Sequence, residues 1–542
     1  MFKIFDGGGI ALFCLALTGA TGTLYANDVV SDGQSVLAVQ QNGDVTGQIV
    51  DQKGEPIIGA NILVQGTSTG TITDFNGNFV LSNVPAGATL EISYIGYKTV
   101  TVPVDGRESY DVVLKEDSEM LGEVVVTAMG IERQSETLTY AAQTVGGKDV
   151  NELKSVNMIN ALQGKSAGLT ITPNSTGAGG SSKIQFRGSK SISGSNRPLI
   201  VVDGVPMMMD LSGQQVESNY GGERDGGDAM STINPDDIAS ITLLKGASAA
   251  ALYGAVAANG AIMITTKSAS AGKVAVNFSS NTTVETPMVL PKFQNNYGIS
   301  EGLYSWGSKL NGEAPNYAKE FYQVGVTTNN SISLSGGTEA IQAYFSYQNI
   351  WSQGITPTND YMSHNFSSKV GFNPWKNLHI DFTAKYTNQQ IDNQPSSGYL
   401  FNPLTGVYLF PRGEDWDGYK NNYEVYDPER GVNVQNWVNT QQENFNNPYW
   451  VLNRQKQEVD RNRFEIGGNV TWDITPDWKI QGRMKYERSD ERWKHNLYAS
   501  SGGDRYKMGR MKDNRYFADQ LYGDVLLSYN HTWNDYSLSV TA

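Results

Sequence analysis

The sequence predicts a mainly β chain in three parts: an N-terminal Ig-like β-sandwich, an α+β domain, and then the first strands of a transmembrane antiparallel β-barrel. Three observations point there. Short glycine-punctuated strands fill residues 43–115, helix and strand signals mix up to about residue 267, and beyond it polar and apolar residues alternate over strands of roughly 10 residues or more. At 542 residues the chain is too long for one compact domain. Its net charge of −14 also opposes nucleic acid as a partner, since phosphate contacts need a basic stripe and none is found.

The chain opens with Lys3, the apolar run from Ile10 to Leu17, and small residues up to Ala26. Together these read as a secretory signal peptide cleaved after Ala26. The run is too short for a membrane helix, which needs about 20 residues. Bulky Phe13 ahead of Cys14 weighs against a lipoprotein signal. Cys14 is the single cysteine of the chain, so its removal with the leader leaves no thiol and suits an oxidising compartment without disulfides. No later run approaches the roughly 18 apolar residues of a membrane helix. Glycine (58) and tyrosine (28) are abundant, which leaves a soluble β-rich protein or a β-barrel.

A polar linker over 27–42 leads to alternating strands from Val45 to Leu114, spaced as in a seven-stranded sandwich. The run Thr73-Asp74-Phe75-Asn76-Gly77-Asn78-Phe79 contains Asn-Gly, the pair suited to a type I′ hairpin turn. The competing Ca²⁺-loop reading lacks the downstream glutamate and the spacing of an EF-hand. Residues 116–130 hold Glu123-Val124-Val125-Val126-Thr127-Ala128, a β-branched run whose composition favours an extended strand. Lying between two domains, such a strand can add to a partner's sheet edge through main-chain hydrogen bonds.

Over 131–268 the pattern is mixed. Asp149 to Gln163 has helical spacing, 184–188 and 199–206 read as strands, and Pro235 opens a short helix behind the N-cap Asn234. Residues 240–267 then run strand, small-residue helix, glycine turn, strand. Enzyme motifs fail here: Gly246-Ala247-Ser248-Ala249-Ala250 lacks the last glycine of a nucleophile elbow, and 177–180 lacks the Lys and Ser/Thr of a phosphate loop. The four histidines, His364, His379, His495 and His531, form no His-Glu-x-x-His pattern. The chain is expected to be no enzyme, with no cofactor and no metal.

From 269 to 542 the alternation has two chemically distinct faces. Leu378, Ile380, Phe382, Ala384 and Tyr386 oppose His379, Asp381, Thr383, Lys385 and Thr387. Phe464, Ile466, Val470, Trp472 and Ile474 oppose Glu465, Asn469, Thr471 and Asp473. Trp478, Ile480, Gly482, Met484 and Tyr486 oppose Lys479, Gln481, Arg483, Lys485 and Glu487. Trp472 and Trp478 fall at strand ends, as an interface girdle requires. About nine strands are expected between Lys273 and Ala542. Tight connections at 336–337, 373–374, 475–477 and 534–535 interleave with long ones at 287–326, 392–462 and 492–518. The chain stops mid-pattern, so a partial sequence and an incomplete barrel are expected, because open strand edges are not viable in lipid.

Taken together, these residues resemble known proteins. Gly47, 54–56, Gly59-Ala60, 73–79 and Tyr94-Ile95-Gly96-Tyr97 resemble the carboxypeptidase-regulatory-like domain, which carries no catalytic machinery. Glu123 to Ala128 looks like the TonB box. Phe186-Arg187-Gly188, Val201-Val202-Asp203-Gly204-Val205-Pro206, Leu244-Lys245-Gly246-Ala247 and Ala257-Ala258-Asn259-Gly260-Ala261-Ile262 match, in order and spacing, the plug domain of SusC/RagA-family, TonB-dependent outer-membrane transporters.

That resemblance implies a plug filling a barrel of about 22 strands, set in outer-membrane lipid. Its further implications are energy from the TonB–ExbB–ExbD complex, a SusD-like surface lipoprotein as lid, and an oligosaccharide, or else a peptide, as ligand. Asp203 and Arg187 could form salt bridges inside the barrel, with a turn aspartate and a solvated arginine as the default reading. The loop aromatics Trp416, Tyr419, Tyr423 and Trp437 are candidate ligand contacts, with loop packing as the alternative. A passive adhesin and a secreted hydrolase are the competing classes.

Overall fold

The computed structural model describes residues 43–115, 124–126, 132–134, 142–207 and 225–542, apart from 52–53, 66, 68, 86, 95–96, 98, 108, 153, 174–175, 193–195, 270, 301–303, 397, 399–400, 439–444, 503–505 and 534–535. The expected signal peptide and linker lie outside these residues. The chain forms two units, one up to Leu121 and one from Gly122.

In the first unit, seven strands make two sheets. They are β1 (Gly43–Val50), β2 (Asn61–Val64), β3 (Gly70–Ile72), β4 (Asn78–Val84), β5 (Thr89–Ser93), β6 (Val100–Pro103) and β7 (Val112–Val113). The sheet orders are β4-β1-β7 and β3-β2-β5-β6. Period-2 alternation turns Val45, Ile49, Ile62, Leu90 and Ile92 into the core between them. Gly47 also faces inward, because a Cβ there would lie 2.3 Å from the Tyr110 carbonyl oxygen. The Asn76-Gly77 turn differs from the expectation. Only Gly77 has positive φ, and the Asp74 carboxylate accepts hydrogen bonds from the Asn76 and Asn78 amides, both at 2.8 Å. It is a type I-like turn with Gly77 in αL, and it passes the chain from one sheet to the other rather than closing a type I′ hairpin.

The second unit begins with a short antiparallel pair, β8 (Val124–Val126) with β9 (Glu132–Gln134). A five-stranded sheet of order β10-β15-β16-β13-β14 follows. Its strands are β10 (Ala142–Gly146), β13 (Leu199–Val202), β14 (Val205–Pro206), β15 (Ile238–Leu244) and β16 (Ala261–Thr266). Beside it lies the hairpin of β11 (Leu169–Pro173) and β12 (Ser182–Phe186). Both faces of the five-stranded sheet are covered: Ile241, Leu243, Ile262 and Ile264 enter one core, and Leu199, Val201, Leu244 and Met263 enter another. This is why these strands read as unbroken apolar runs. The helix expected over 149–163 breaks instead into a turn at Gly147–Asn151 and a 3₁₀ segment at Met158–Leu162. Asn157 caps the second piece, its side chain accepting from the Ile159 amide at 3.3 Å.

The last part is a nine-stranded antiparallel meander. Its strands are β17 (Gly272–Glu285), β18 (Gly325–Gly337), β19 (Ile341–Gln353), β20 (Asp360–Trp375), β21 (Leu378–Asp392), β24 (Gln455–Asp473), β25 (Trp478–Leu497), β26 (Arg510–Trp533) and β27 (Tyr536–Thr541). One long connection holds the hairpin of β22 (Glu424–Asp427) and β23 (Val432–Gln435). Strands β24 to β26 outrun the expectation, so the long connections shrink to 393–454 and 498–509. Near these ends the outward face also carries charge, as in Arg492–Asp513 and Lys494–Glu458, so alternation of polarity no longer marks the strand. Pro374 lies inside β20 at an irregularity in the ladder, and the turn follows it at 376–377.

The register sets the two faces apart. Phe278, Ile332, Tyr347, Phe366, Tyr386 and Phe464 stand side by side across six strands, facing out. One step along, Asn277, Ser333, Ser346, Ser367, Lys385, Glu465 and Glu487 form the inward row. Phe366 is 50% exposed and Glu487 1%, the reverse of a soluble sheet. Trp375, Trp472, Trp478 and Trp533 ring the short-turn end. A lipid-facing wall predicts that Ile466→Arg costs about 2–4 kcal/mol in denaturant unfolding of the full-length protein in vesicles. A water-facing one predicts a change within about 0.5 kcal/mol.

Candidate functional site

The α+β domain meets the inner face of the sheet through Lys154, Val156, Thr176 and Ala178, and also through one segment, residues 225–237. Its first half is held by its own side chains: Asp228 caps the 3₁₀ turn Ala229–Thr232, and Asn234 accepts from the Asp236 amide at 3.0 Å to cap Pro235–Asp237. The sequence anticipates that second cap. It places Asp236 and Asp237 only at the positive end of a helix, whereas the structure gives each carboxylate a partner far along the chain. Asp237 accepts from Tyr344 Oη and Ser346 Oγ of the wall, both at 2.8 Å. Asp236 pairs with Lys154 Nζ at 2.6 Å, and Lys154 also donates to Ser279 Oγ of β17.

The remaining carboxylates of the segment gather other loops. Asp225 accepts from Thr176 Oγ1 and the Ser181 amide, each at 2.8 Å. Asp228 accepts from Asn157 Nδ2 and the Ser182 amide at the same distance. From the wall, Gln389 Nε2 donates to the Ser231 carbonyl at 3.1 Å, Thr387 to the Thr232 carbonyl, and Arg461 to the Gly226 carbonyl. Burial pushes the Asp237 and Asp228 carboxyls up from the ordinary range, against the lowering effect of these donors. Sequence reasoning passed over Asp225 and Asp228. The available signal was four aspartates within thirteen residues of a glycine-rich stretch otherwise free of charge beyond Arg224.

Behind this segment the inner wall carries its own charges. Glu465 and Glu487 stand directly opposite each other, an unfavourable pairing alone. Lys485 bridges them at 2.9 and 3.2 Å, and Arg463 contacts both. Asp203 faces this cluster from the turn between β13 and β14. Its carboxylate accepts from the Thr266 amide at 2.8 Å and hydroxyl at 2.7 Å. Burial opposes its charge, yet Lys369 and Lys385 of the wall hold its carboxyl below the ordinary range. Asp203 is thus a turn residue on which cations of the wall act.

The other sequence-singled residues of this domain are also turn residues. Arg187 and Gly188 end β12 with φ of 56° and 85°, and the Arg187 amide donates to the Gly168 carbonyl at 2.9 Å. Gly204 has φ 81° and Gly246 φ 77°. Lys245 Nζ donates to the Ala167 carbonyl at 2.7 Å and to Gln143 Oε1 at 3.0 Å. Asn259 precedes Gly260, where a Cβ would come within 2.6 Å of the Phe186 ring. None of them lines the main cavity.

That cavity, of about 660 Å³, opens between the α+β domain and the wall at its long-loop end. Asn157, Asn160, Asn281, Asn359 and Asn402 line it with several serines and threonines. Of the expected loop aromatics none is there. Trp416 and Trp437 are 4% and 6% exposed, packed with Phe410, Tyr317 and Phe445 in a core within the long loops. Their ring faces are occupied, which corrects the ligand-contact expectation in favour of loop packing. Tyr419 is half-buried against Phe410 and Trp437, and Tyr423 is half-buried outside the cavity. Of the expected TonB box, only the backbone of Val124, Val125 and Val126 is described; Glu123, Thr127 and Ala128 fall outside the described residues.

Comparison with known proteins bears on the whole arrangement. Residues 45–126 match the carboxypeptidase D regulatory-like domain, and 134–261 the TonB-dependent receptor plug domain. TonB-dependent receptor SusC of Bacteroides thetaiotaomicron is 33% identical over 368 residues, 65% of this chain and 34% of that protein. TonB-dependent receptor P39 of Formosa agariphila is 32% identical over 371 residues, 65% of this chain and 33% of that protein. The RagAB peptide importer superposes in its closed-closed state with a TM-score of 0.56 at 15% identity, over 74% of this chain and 47% of that one. In its open-open state the TM-score is 0.57 at 16% identity, over 77% and 48%. The chain therefore spans about a third of the length of these curated relatives and about half that of the solved chains.

Tyr344→Phe should weaken the seam by about 1.5–3 kcal/mol where the Asp237 carboxyl is ionised and by about 0.5–1.5 kcal/mol where it is protonated, the usual worths of a charge-assisted and a neutral hydrogen bond. Because the Asp237 carboxyl titrates above its unfolded value, this deficit should shrink as pH falls through that raised range. Amide exchange of residues 225–237 at two pH values checks both statements.

Proposed function

We propose that the chain, with its TonB-dependent receptor plug domain and its likeness to SusC and RagAB, serves import of large nutrients across the outer membrane, with oligosaccharides as the first substrate class. The observation that supports this reading is the cavity of about 660 Å³ between plug and wall, whose lining includes five asparagines and several serines and threonines. Such groups both donate and accept, which suits the hydroxyls of a neutral sugar chain. A peptide is the second reading, favoured by Glu152 and Glu285 in the same lining, which would suit an ammonium terminus.

In this account the nine strands belong to a barrel in the outer membrane, reached through the N-terminal signal peptide, and the plug closes its lumen. A SusD-like surface lipoprotein covers the long-loop side, and the TonB–ExbB–ExbD complex supplies energy from the opposite side. Residues 123–128 are the grip. Val124–Val126 is already extended and pairs on one side with β9, and among the described residues its other edge has no neighbour, so a partner strand can add there. The plug motif residues Arg187, Gly188, Asp203, Gly204, Lys245, Gly246, Asn259 and Gly260 hold the plug's turns in shape.

Deleting 123–128 from the full-length gene should abolish uptake of labelled oligosaccharide while surface binding persists. Undiminished uptake would reject energy-coupled import and leave a passive adhesin, and uptake of peptide alone would select the second substrate class.

A further inference from the structure

Many polar side chains face the cavity between plug and wall, yet most of them are already engaged. Of its five asparagines, four direct their amide nitrogens at neighbours. Asn157 donates to the Asp228 carboxylate at 2.8 Å, Asn160 to Ser155 Oγ at 3.4 Å, Asn359 to the Asp392 carbonyl at 3.2 Å and Asn402 to the Gly398 carbonyl at 2.7 Å. Charges are engaged as well: Lys154 has Asp236 at 2.6 Å, and Glu152 has Lys165 at 3.2 Å. What is left stands on one strand. Asn281, Thr283 and Glu285 alternate along β17, and all three line the cavity. The Asn281 carboxamide oxygen accepts from Thr283 Oγ1 at 3.1 Å, while its nitrogen has no partner among the described residues. Glu285 likewise has no cation within ion-pair reach among them.

We propose that the inward face of β17 is the surface of the cavity that reads the solute, and that Glu285 sets its charge selectivity, favouring solutes that are neutral or carry an ammonium over those rich in carboxylate or sulfate. The inference rests on the import reading and narrows its substrate class. Same-face residues of a strand lie about 6.5–7 Å apart, so an amide donor, a hydroxyl and a carboxylate stand in line over about 13 Å. Such a line suits successive polar groups of an extended chain. Within each engaged pair the two fields oppose and largely cancel at a distance, so Glu152–Lys165 and Lys154–Asp236 leave the electrostatics of the cavity to Glu285. Glu285 is also the last residue of β17, where the long connection to β18 begins, which puts it at the long-loop mouth. An entering anion meets its repulsion with no unengaged cation of the lining to offset it, whereas an ammonium is attracted. Asn281 and Thr283 are neutral and add hydrogen bonds without regard to charge.

The test places one cysteine, Thr283→Cys, in the full-length protein and compares its rates of reaction with two methanethiosulfonates of similar size, the cationic trimethylammonioethyl and the anionic sulfonatoethyl reagent. Each rate is divided by that of the same reagent with 2-mercaptoethanol. In dilute buffer the cationic reagent should then react about three- to tenfold faster, as one charge about 6.5–7 Å away in water dictates, and high salt should erase the preference. Glu285→Gln should bring the ratio to unity and Glu285→Lys should invert it. Glu339→Gln, in the turn between β18 and β19 at the other end of the wall, should leave it unchanged. Asn281→Cys is the second reporter, farther from Glu285, and should show the same sign with a smaller ratio. A ratio that Glu285→Gln does not move overturns the proposal, as does failure of both cysteines to react, since β17 then faces no solute. The thiol reaction needs no energy coupling. Undiminished uptake after deletion of 123–128 would therefore sink the import reading while the rate ratio still reports on Glu285.

Discussion

A sheet that shows lipid its apolar side must bury its polar side, and every charge placed there needs a partner, because breaking a buried ion pair costs about 3–5 kcal/mol. The nine strands meet that constraint in two ways. Some charges neutralise one another within the wall, as Lys485 and Arg463 do for the facing Glu465 and Glu487. Other groups of the polar face are met by the plug, through residues 225–237, which offer carbonyls to Arg461, Gln389 and Thr387 and a carboxylate to Tyr344 and Ser346. The plug is therefore part of the wall's polar accounting and not merely an obstruction.

The same seam borders the cavity. The cavity lies where plug and wall separate, and its lining comes from both. Loops above it are not loose: Arg412 is buried over the rings of Phe293 and Tyr317, and Trp416, Trp437 and Phe410 pack into a small core that shapes the long connections.

Much of this was legible in the amino-acid order because it is local. Alternation at period two exposes Leu378 to Thr387 as a two-faced strand, and Asn234-Pro235 announces a capped turn. What escaped was nonlocal. The length of β24 to β26 was hidden where charges such as Arg492 and Asp513 occupy the outward face and end the alternation of polarity. The helical spacing of 149–163 was overridden by Asn157, whose side chain caps the 3₁₀ turn and reaches Asp228, 71 residues on. Trp416 and Trp437 looked like ligand contacts because loop sequence does not reveal that loops can build cores of their own.

The central claim is that the aromatic row of the sheet meets hydrocarbon and the row beside it meets the plug. Nitroxide labels placed singly at 366, 386 and 464, and at 367, 385 and 465, in the full-length protein reconstituted in bilayers would test it by power saturation. The account predicts that the first set collides with oxygen and is shielded from a water-soluble nickel chelate, with the second set shielded from both. Free collision of the first set with the nickel chelate would contradict it.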